Sequence, residues 1–385
     1  MALTPEYLQN VANQAEAMYA ELNQQITSDI CRRIAKTGEL TESARWQAKQ
    51  LQESGKLMDE IINDVASQTG KSDAEIRAMF EAAGLKSMQY DARALIAAGI
   101  DVNLKLSPAM QQILTANIVK TQGDMSRLTL TTASAGQDQF LNAMNEAQMK
   151  VQSGAFDYAT AYRRAIEQCA NAGAKILYPT GARMSLEAAA RVNILTGINQ
   201  TVQKITELNC DDLGAEYVET SAHPGARPTH SEWQGMVFRR EGSDYEHENF
   251  EDVCGPIGEG DGICGWNCRH SYFPFFPGIS QPAYDKKTLD SFNDITCSYN
   301  GDDLTDYEAS QIQRRFERDI RSAKVALNAI QASRADCTDE ALEKALRDSE
   351  TEAKAKLRAK RERLTDFCKQ TGREKDYLRT KVVTH

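Results

Sequence analysis

The sequence predicts a mainly helical α+β fold in three parts: a multi-helix body over residues 1–210, a small loop-rich Cys/His-containing α+β module over 211–302, and a charged, long helical tail over 303–385. Three observations predict it. Apolar residues recur three and four apart through most of the chain, the period of one helix face. From about Asp212 to Asp303 that period gives way to short runs broken by proline and glycine. Four of the five histidines, two of the three tryptophans and six of the nine prolines also fall between His223 and Pro282.

Composition sets the outer limits. With 385 residues, 41% hydrophobic and 26% charged, the chain can bury a real core and is expected to divide into two or three units. No run of eighteen apolar residues occurs, and the first thirty residues lack a basic start followed by an apolar core, so the protein is expected to be made and kept in solution. Nine cysteines, an odd number without regular spacing, predict thiols in a reducing compartment, most of them buried as small hydrophobes. The formal charge is −10, but Lys and Arg outnumber Asp and Glu by 19 to 15 from Thr305 onward, which leaves −14 for the residues before it. A basic tail follows an acidic body.

In the body, Leu57, Ile61, Ile62 and Val65, and again Ile76, Met79 and Phe80, mark helix faces. Ser72 and Glu75 have capping-box spacing and predict a helix start, and Gly84 predicts that helix's end. Pro108 after Ser107 opens another helix, since the first helical position needs no N–H donor. Ser185 and Glu187 start one that runs towards Cys210. In the module, Tyr217-Val218-Glu219-Thr220, Met236-Val237-Phe238 and Tyr272-Phe273 are the expected strands. Gly258-Glu259-Gly260-Asp261-Gly262 is glycine-rich but lacks the Lys-Ser/Thr of a phosphate loop, and its acids would repel phosphate. From Tyr307 to about Lys369 the chain is dense in Ala, Lys, Arg and Glu with an interruption near Cys337, which predicts a long helical hairpin or one broken helix.

Several residues in the module are chemically capable. Cys254, Cys264, Cys268 and His270, with His223 or His230 as alternates, contain enough thiolate and imidazole for a tetrahedral structural zinc, which a small Gly/Pro-rich unit often needs as a staple. Their spacing, C-x9-C-x3-C-x-H, is not that of paired knuckles, and buried thiols beside hydrogen-bonded histidines are the simpler reading. A Cys/His hydrolase built on Cys268 and His270 is a weaker alternative, because catalytic pairs are normally joined by the fold and not by adjacency. His223 with Glu219 or Glu232 offers a base and its orienter, but no Gly-x-Ser-x-Gly nucleophile accompanies them. Arg227 and Arg269 are expected to pair internally with carboxylates. Trp266, Tyr272, Phe273, Phe275 and Phe276 are expected as local core. In the tail, Lys354, Lys356, Arg358, Lys360, Arg361 and Arg363 stand against the one acid Glu362, and could track duplex DNA without sequence preference. Solvated helix faces have the same composition, and no aromatic is interleaved to stack bases.

Taken together these motifs resemble a known family, the tailed-phage minor capsid proteins of the minor capsid protein 2 type, relatives of the Mu F-like head morphogenesis proteins. The residues that carry the resemblance are 221–230, from Ser221 through His223, Arg227 and His230, then Trp233-Gln234-Gly235-Met236-Val237-Phe238, Cys254-Gly255, Gly262 and Asn267-Cys268-Arg269-His270. Upstream, Ile34-Ala35-Lys36-Thr37, Thr41-Glu42-Ser43-Ala44-Arg45-Trp46-Gln47 and Pro179-Thr180-Gly181-Ala182-Arg183-Met184-Ser185 join it, so that it spans roughly residues 25–285. Cys254-Gly255 leads into Pro256-Ile257-Gly258 where the family is expected to carry a more open glycine-aromatic loop. What the resemblance implies is a virion protein of structural role, made in the host cytoplasm and present in few copies at or inside the portal vertex. It would assemble with the portal protein and other head proteins, with a part in head assembly and DNA delivery. No catalytic residue set comes with it. Related modules occur fused to toxin domains, although no further globular domain is expected in this chain; the competing classes are a Cys/His-dependent hydrolase and a toxin-like effector carried in the head. No membrane partner is implied.

Overall fold

The computed structural model describes residues 4–36, 43–97, 105–177 and 183–382. In chain order the elements are α1 (Pro5–Lys36), α2 (Ser43–Asp91), α3 (Arg93–Ala97), α4 (Pro108–Gln152), α5 (Tyr158–Ala172), β1 (Lys175–Leu177), β2 (Arg183–Ser185), α6 (Leu186–Leu213), β3 (Tyr217–Thr220), α7 (Pro228–Ser231), β4 (Val237–Arg239), α8 (Phe250–Cys254), β5 (Tyr272–Phe275), α9 (Lys286–Ser291), β6 (Ile295–Tyr299), β7 (Asp302–Thr305), α10 (Asp306–Ala335), α11 (Glu340–Thr371) and α12 (Tyr377–Thr380). The fold is mainly helical α+β, with strands confined to small antiparallel sheets. Thr37, Thr41, Glu42 and residues 179–182, which belong to the family-like segments, lie outside the described residues.

Two compact units form, one from Met1–Ala15, Lys71–Asp124 and Arg191–Ile312, the other from Glu16–Gly70, Met125–Ala190 and Gln313–His385. In the first, helices pack so closely that some positions admit no side chain: a Cβ at Gly197 of α6 would overlap Thr121 Oγ1 and sit 3.1 Å from Phe80 Cζ. Met88, Met110 and Ile205 form a buried cluster beside them. Asp91 is buried there too, accepting from Thr206 Oγ1 and Asn209 Nδ2, both at 3.2 Å, and burial raises its pKa to about 7. The strands of this unit are a three-stranded antiparallel sheet ordered β4-β3-β5 and a separate β6–β7 hairpin. Pro274 pairs with Val218 on β5, an edge strand, where a missing N–H costs no ladder bond.

The second unit is a helical assembly with a β1–β2 hairpin. Its core carries Tyr19, Ile26, Leu57, Phe140, Tyr162 and Phe367, all at most 1% exposed. Arg321, 11% exposed, pairs with Glu16 and lies 3.8 Å from Glu187, while Asn23 donates to Glu187 at 2.8 Å, so the buried charges are matched. From α10 to α11 the chain makes an antiparallel hairpin: Phe316 and Phe367 meet edge to face at 5.6 Å near one end, and Gln331 and Arg334 both reach Glu350 near the other. Asp339 caps α11 by accepting from Leu342 N at 2.7 Å, and Gly372 ends it in the left-handed region.

Two expected boundaries do not exist. Ser72 and Glu75 do not start a helix and Gly84 does not end one, because α2 runs unbroken through all three. The buried stripe continues along α2 past the polar residues, through Val65, Thr69, Ile76, Phe80 and Ala83, and tertiary burial of a periodic face outweighs a local capping preference. Gly84 has a packing role instead, with Ile205 Cδ1 3.2 Å from where its Cβ would be. Pro108 does open α4, with Ser107 Oγ accepting from Met110 N at 3.3 Å, and α6 begins at Leu186 as Ser185 and Glu187 predict. All nine cysteines are free and seven are buried.

Gly197 and Gly123 make opposite predictions from the same substitution. Gly197→Ala should lower the denaturation midpoint by the equivalent of about 1–3 kcal/mol, through overpacking against Thr121 and Phe80. Gly123→Ala, in α4 with no atom within 4 Å of its new Cβ, should raise stability by roughly 0.5–1 kcal/mol. Chemical denaturation of both variants against the parent measures the difference.

Candidate functional site

The sheet β4-β3-β5 carries the loop-rich module's core. Val218, Phe238 and Tyr272 face Phe250, Cys254, Ile263 and Cys264. Beyond Thr220 the β3–β5 pairing continues through Ser221, whose N–H donates to Ser271 O at 2.8 Å and whose Oγ accepts from Ser271 N at 2.9 Å. Thr220 Oγ1 donates to Trp233 O at 2.9 Å and accepts from Met236 N at 3.2 Å, which closes the turn after α7. Gly235 is required in that turn, since its φ is +70° and a Cβ would lie 2.6 Å from Leu289.

These constraints bring three chemically capable side chains together. His230, on α7, and Cys268 and His270, on the loop before β5, are each at most 2% exposed. The two Nδ1 atoms are 3.2 Å apart, and Cys268 Sγ lies 3.8 Å from His230 Nδ1 and 3.7 Å from His270 Nδ1. The opposite ring nitrogens are held by acceptors: His230 Nε2 donates to Asp261 O at 2.7 Å and His270 Nε2 to Gln234 Oε1 at 3.3 Å. A carbonyl can only accept, and Gln234 Oε1 also takes the His223 N–H at 3.0 Å, so each neutral ring carries its proton on Nε2. Trp233 packs against both rings, at 4.6 and 4.9 Å between centroids, and His223 stacks on His270 at 4.5 Å.

Among the residues proposed from sequence, Cys268, His270 and His230 thus converge, whereas Cys254 and Cys264 lie in the adjacent apolar core outside that group. Burial pushes the thiols of Cys254, Cys264 and Cys268 up and pushes His230 and His270 below the usual imidazole range. Arg227 forms an ion pair with Asp261 and donates to Trp266 O at 3.0 Å, holding the loop 256–266 closed. Arg269 turns to Gly225 O at 3.0 Å and Gln9 Oε1 at 3.4 Å. Asn267 takes a positive φ of 57°, a conformation asparagine tolerates, and accepts from Arg191.

Trp266 departs from expectation. Tyr272, Phe273 and Phe275 are core residues and Phe276 packs against that core, but Trp266 is 67% exposed. Its backbone is what the loop uses, with N–H donating to Gly260 O at 2.9 Å and O accepting from Arg227. The sequence places Gln234 in the family-like segment but assigns no role to it or to the Asp261 carbonyl, which fix the two imidazoles. The Asp261 bond uses backbone, which no residue type signals; Gln234 lies within the motif and carried the information.

Glu219 sits on β3, 1% exposed, accepting from Ala283 N at 2.7 Å. Burial raises its pKa to about 7. The family described as phage minor capsid protein 2 matches residues 3–369, and the chain belongs to that family. None of the curated proteins and none of the solved structures matches the chain.

A carboxyl with a raised folded-state pKa holds extra protons in the folded state, so its contribution is complete below the unfolded pKa and is lost as pH rises towards 7. Glu219→Gln should therefore gain stability relative to the parent between pH 5 and pH 8, on the order of 2 kcal/mol. Urea titrations at the two pH values check it; an unchanged difference between variant and parent contradicts the assignment.

Proposed function

We propose that this chain is a structural subunit of the phage head at or beside the portal vertex, where it docks on the portal protein and contributes to head assembly and DNA delivery without turning over a substrate. The single observation that carries this reading is the family match over residues 3–369, which includes both the helical segments and the module. The inward disposition of the module's thiols and imidazoles supports it. The thiols of Cys254 and Cys264, buried in the apolar core with their pKa values pushed up, are poor nucleophiles at neutral pH, and docking needs area and shape instead of a reactive pocket.

The exposed face of α11 is the part we assign to packaged DNA. Lys354, Lys356, Arg358, Arg361 and Arg363 are exposed, with Lys360 half-buried and bonded to Asp319 O at 3.3 Å. Lys354, Lys356 and Arg358 pair with Glu350, Glu352 and Glu362 on the same helix, at 2.7, 3.9 and 2.8 Å. The Lys356 and Arg358 pairs are exposed on both sides and worth about 0–1 kcal/mol, so duplex phosphates can displace Glu352 and Glu362, whereas Glu350 is buried.

Quantitative mass spectrometry of purified particles should find the chain in fewer copies than the major shell protein, and the tagged chain should retain the portal protein. Absence from particles overturns the structural role. For the DNA face, affinity of the full chain for duplex should fall with salt at a log–log slope of about −0.9 per phosphate neutralised. Combined Lys354→Gln, Arg358→Gln and Arg361→Gln should flatten that slope by about 1 for each phosphate no longer neutralised. An unaltered slope removes α11 from the interface.

A further inference from the structure

His230, Cys268 and His270 have a geometry that hydrogen bonding alone does not require. The carbonyl of Asp261 and the amide oxygen of Gln234 hold each ring proton on Nε2, at 2.7 and 3.3 Å. Two unprotonated Nδ1 atoms are left facing each other at 3.2 Å, with the Cys268 sulfur 3.7 and 3.8 Å away. Lone pairs aimed at one point repel unless a positive charge lies between them. A tetrahedral zinc, with bonds of about 2.0 Å to nitrogen and about 2.3 Å to sulfur, separates two nitrogen ligands by about 3.3 Å and nitrogen from sulfur by about 3.6 Å. The observed triangle has those edges.

We propose that His230 Nδ1, Cys268 Sγ and His270 Nδ1 bind one zinc-class divalent ion as a structural staple. The surroundings are those that metal-binding imidazoles use: each ring donates its far N–H to a carbonyl or amide oxygen, which fixes tautomer and ring orientation. The His270 backbone N–H also donates to Cys268 Sγ at 3.3 Å, a bond that favours the thiolate. Among the described residues no fourth His, Cys, Asp or Glu joins the group, so the remaining position falls to a small donor such as water. With all three side chains at most 2% exposed, substrate has no route to the ion, and its work is to tie α7 to the loop that leads into β5. This site differs from a Cys254–Cys264–Cys268–His270 set in two of its members and stands independently of any role at the portal.

The test uses the full chain. Purified from zinc-supplemented culture, it should hold about one zinc per chain by elemental analysis, and chelation should lower its melting temperature by at least about 5 °C. Cobalt exchanged for zinc should give the intense visible bands of tetrahedral coordination and a near-ultraviolet thiolate charge-transfer band. Cys268→Ser should abolish the charge-transfer band and His270→Ala should abolish stoichiometric binding, while Cys254→Ser and Cys264→Ser retain both. If the first two variants do not fold, the cobalt spectrum of the parent and of the Cys254 and Cys264 variants decides. A parent that stays metal-free after zinc loading, binding that survives loss of Cys268 and His270, or a charge-transfer band that disappears with Cys254 or Cys264 overturns the proposal.

Discussion

Every ring N–H that the module takes out of water must meet an acceptor inside it, because an unpaired buried donor costs about 1–3 kcal/mol. That requirement explains the composition of the glycine-rich loop. To bring the Asp261 carbonyl to within 2.7 Å of His230 Nε2, the chain from Pro256 to Trp266 folds back on itself, with Gly258 N donating to Ile263 O and Trp266 N to Gly260 O. The turns are so tight that a Cβ at Gly262 would overlap the Pro256 carbonyl, and one at Gly265 would lie 2.5 Å from Gly260 O. Arg227 then clamps the loop from outside by pairing with the Asp261 carboxylate. A single residue thus serves the interior with its backbone and the surface with its side chain.

The same economy governs polar groups elsewhere. Thr220 completes β3 and, through its hydroxyl, fixes the turn that carries Trp233. Glu187, at the start of α6, turns its carboxylate to Asn23 and Arg321, and Asn23 in turn accepts from Ala174 N at 2.9 Å, which anchors the chain entering β1. Networks of this sort are sensitive to any one deletion, because removing a member exposes the rest to the cost of burial without a partner.

Long periodic faces were readable from sequence, and so was the chemistry of turns. The strands at Tyr217–Thr220 and Tyr272–Phe275, the start of α4 at Pro108 and the break before α11 all lie where residue pattern puts them. The continuity of α2 was not legible, because Ser72, Glu75 and Gly84 are local signals and their defeat depends on which distant residues cover the stripe. The β6–β7 hairpin was legible but passed over: Asn300-Gly301, with φ values of 55° and 93°, is the two-residue turn that asparagine and glycine favour. For the site, Cys268 and His270 could be picked out by residue type, but their choice of His230 over Cys254 and Cys264 could not. Those two thiols lie as near in sequence, and only the course of the loop turns them into the apolar core.

Where charge appears on the surface follows from what the helices bury. On α11 the residues Leu342, Leu346, Ala353, Leu357, Leu364 and Phe367 fill one face against its surroundings. The cations between them, Lys354, Lys356, Arg358, Arg361 and Arg363, are thereby forced to the other face. Packing against α10 near its two ends, at Glu350 and at Phe367, keeps that face in one orientation along the hairpin. Three of these cations have carboxylate partners four residues away on their own helix, and such pairs weaken as ionic strength rises. The positive potential of α11 is therefore a property of its geometry as much as of its composition, since Glu352 and Glu362 sit on the same exposed face and compete with external anions for Lys356 and Arg358, while Glu350 is buried where Gln331 and Arg334 of α10 reach it. A helix built this way exchanges an internal partner for an external one at little cost, whereas the groups locked beneath the sheet cannot exchange at all without unfolding the loop that holds them.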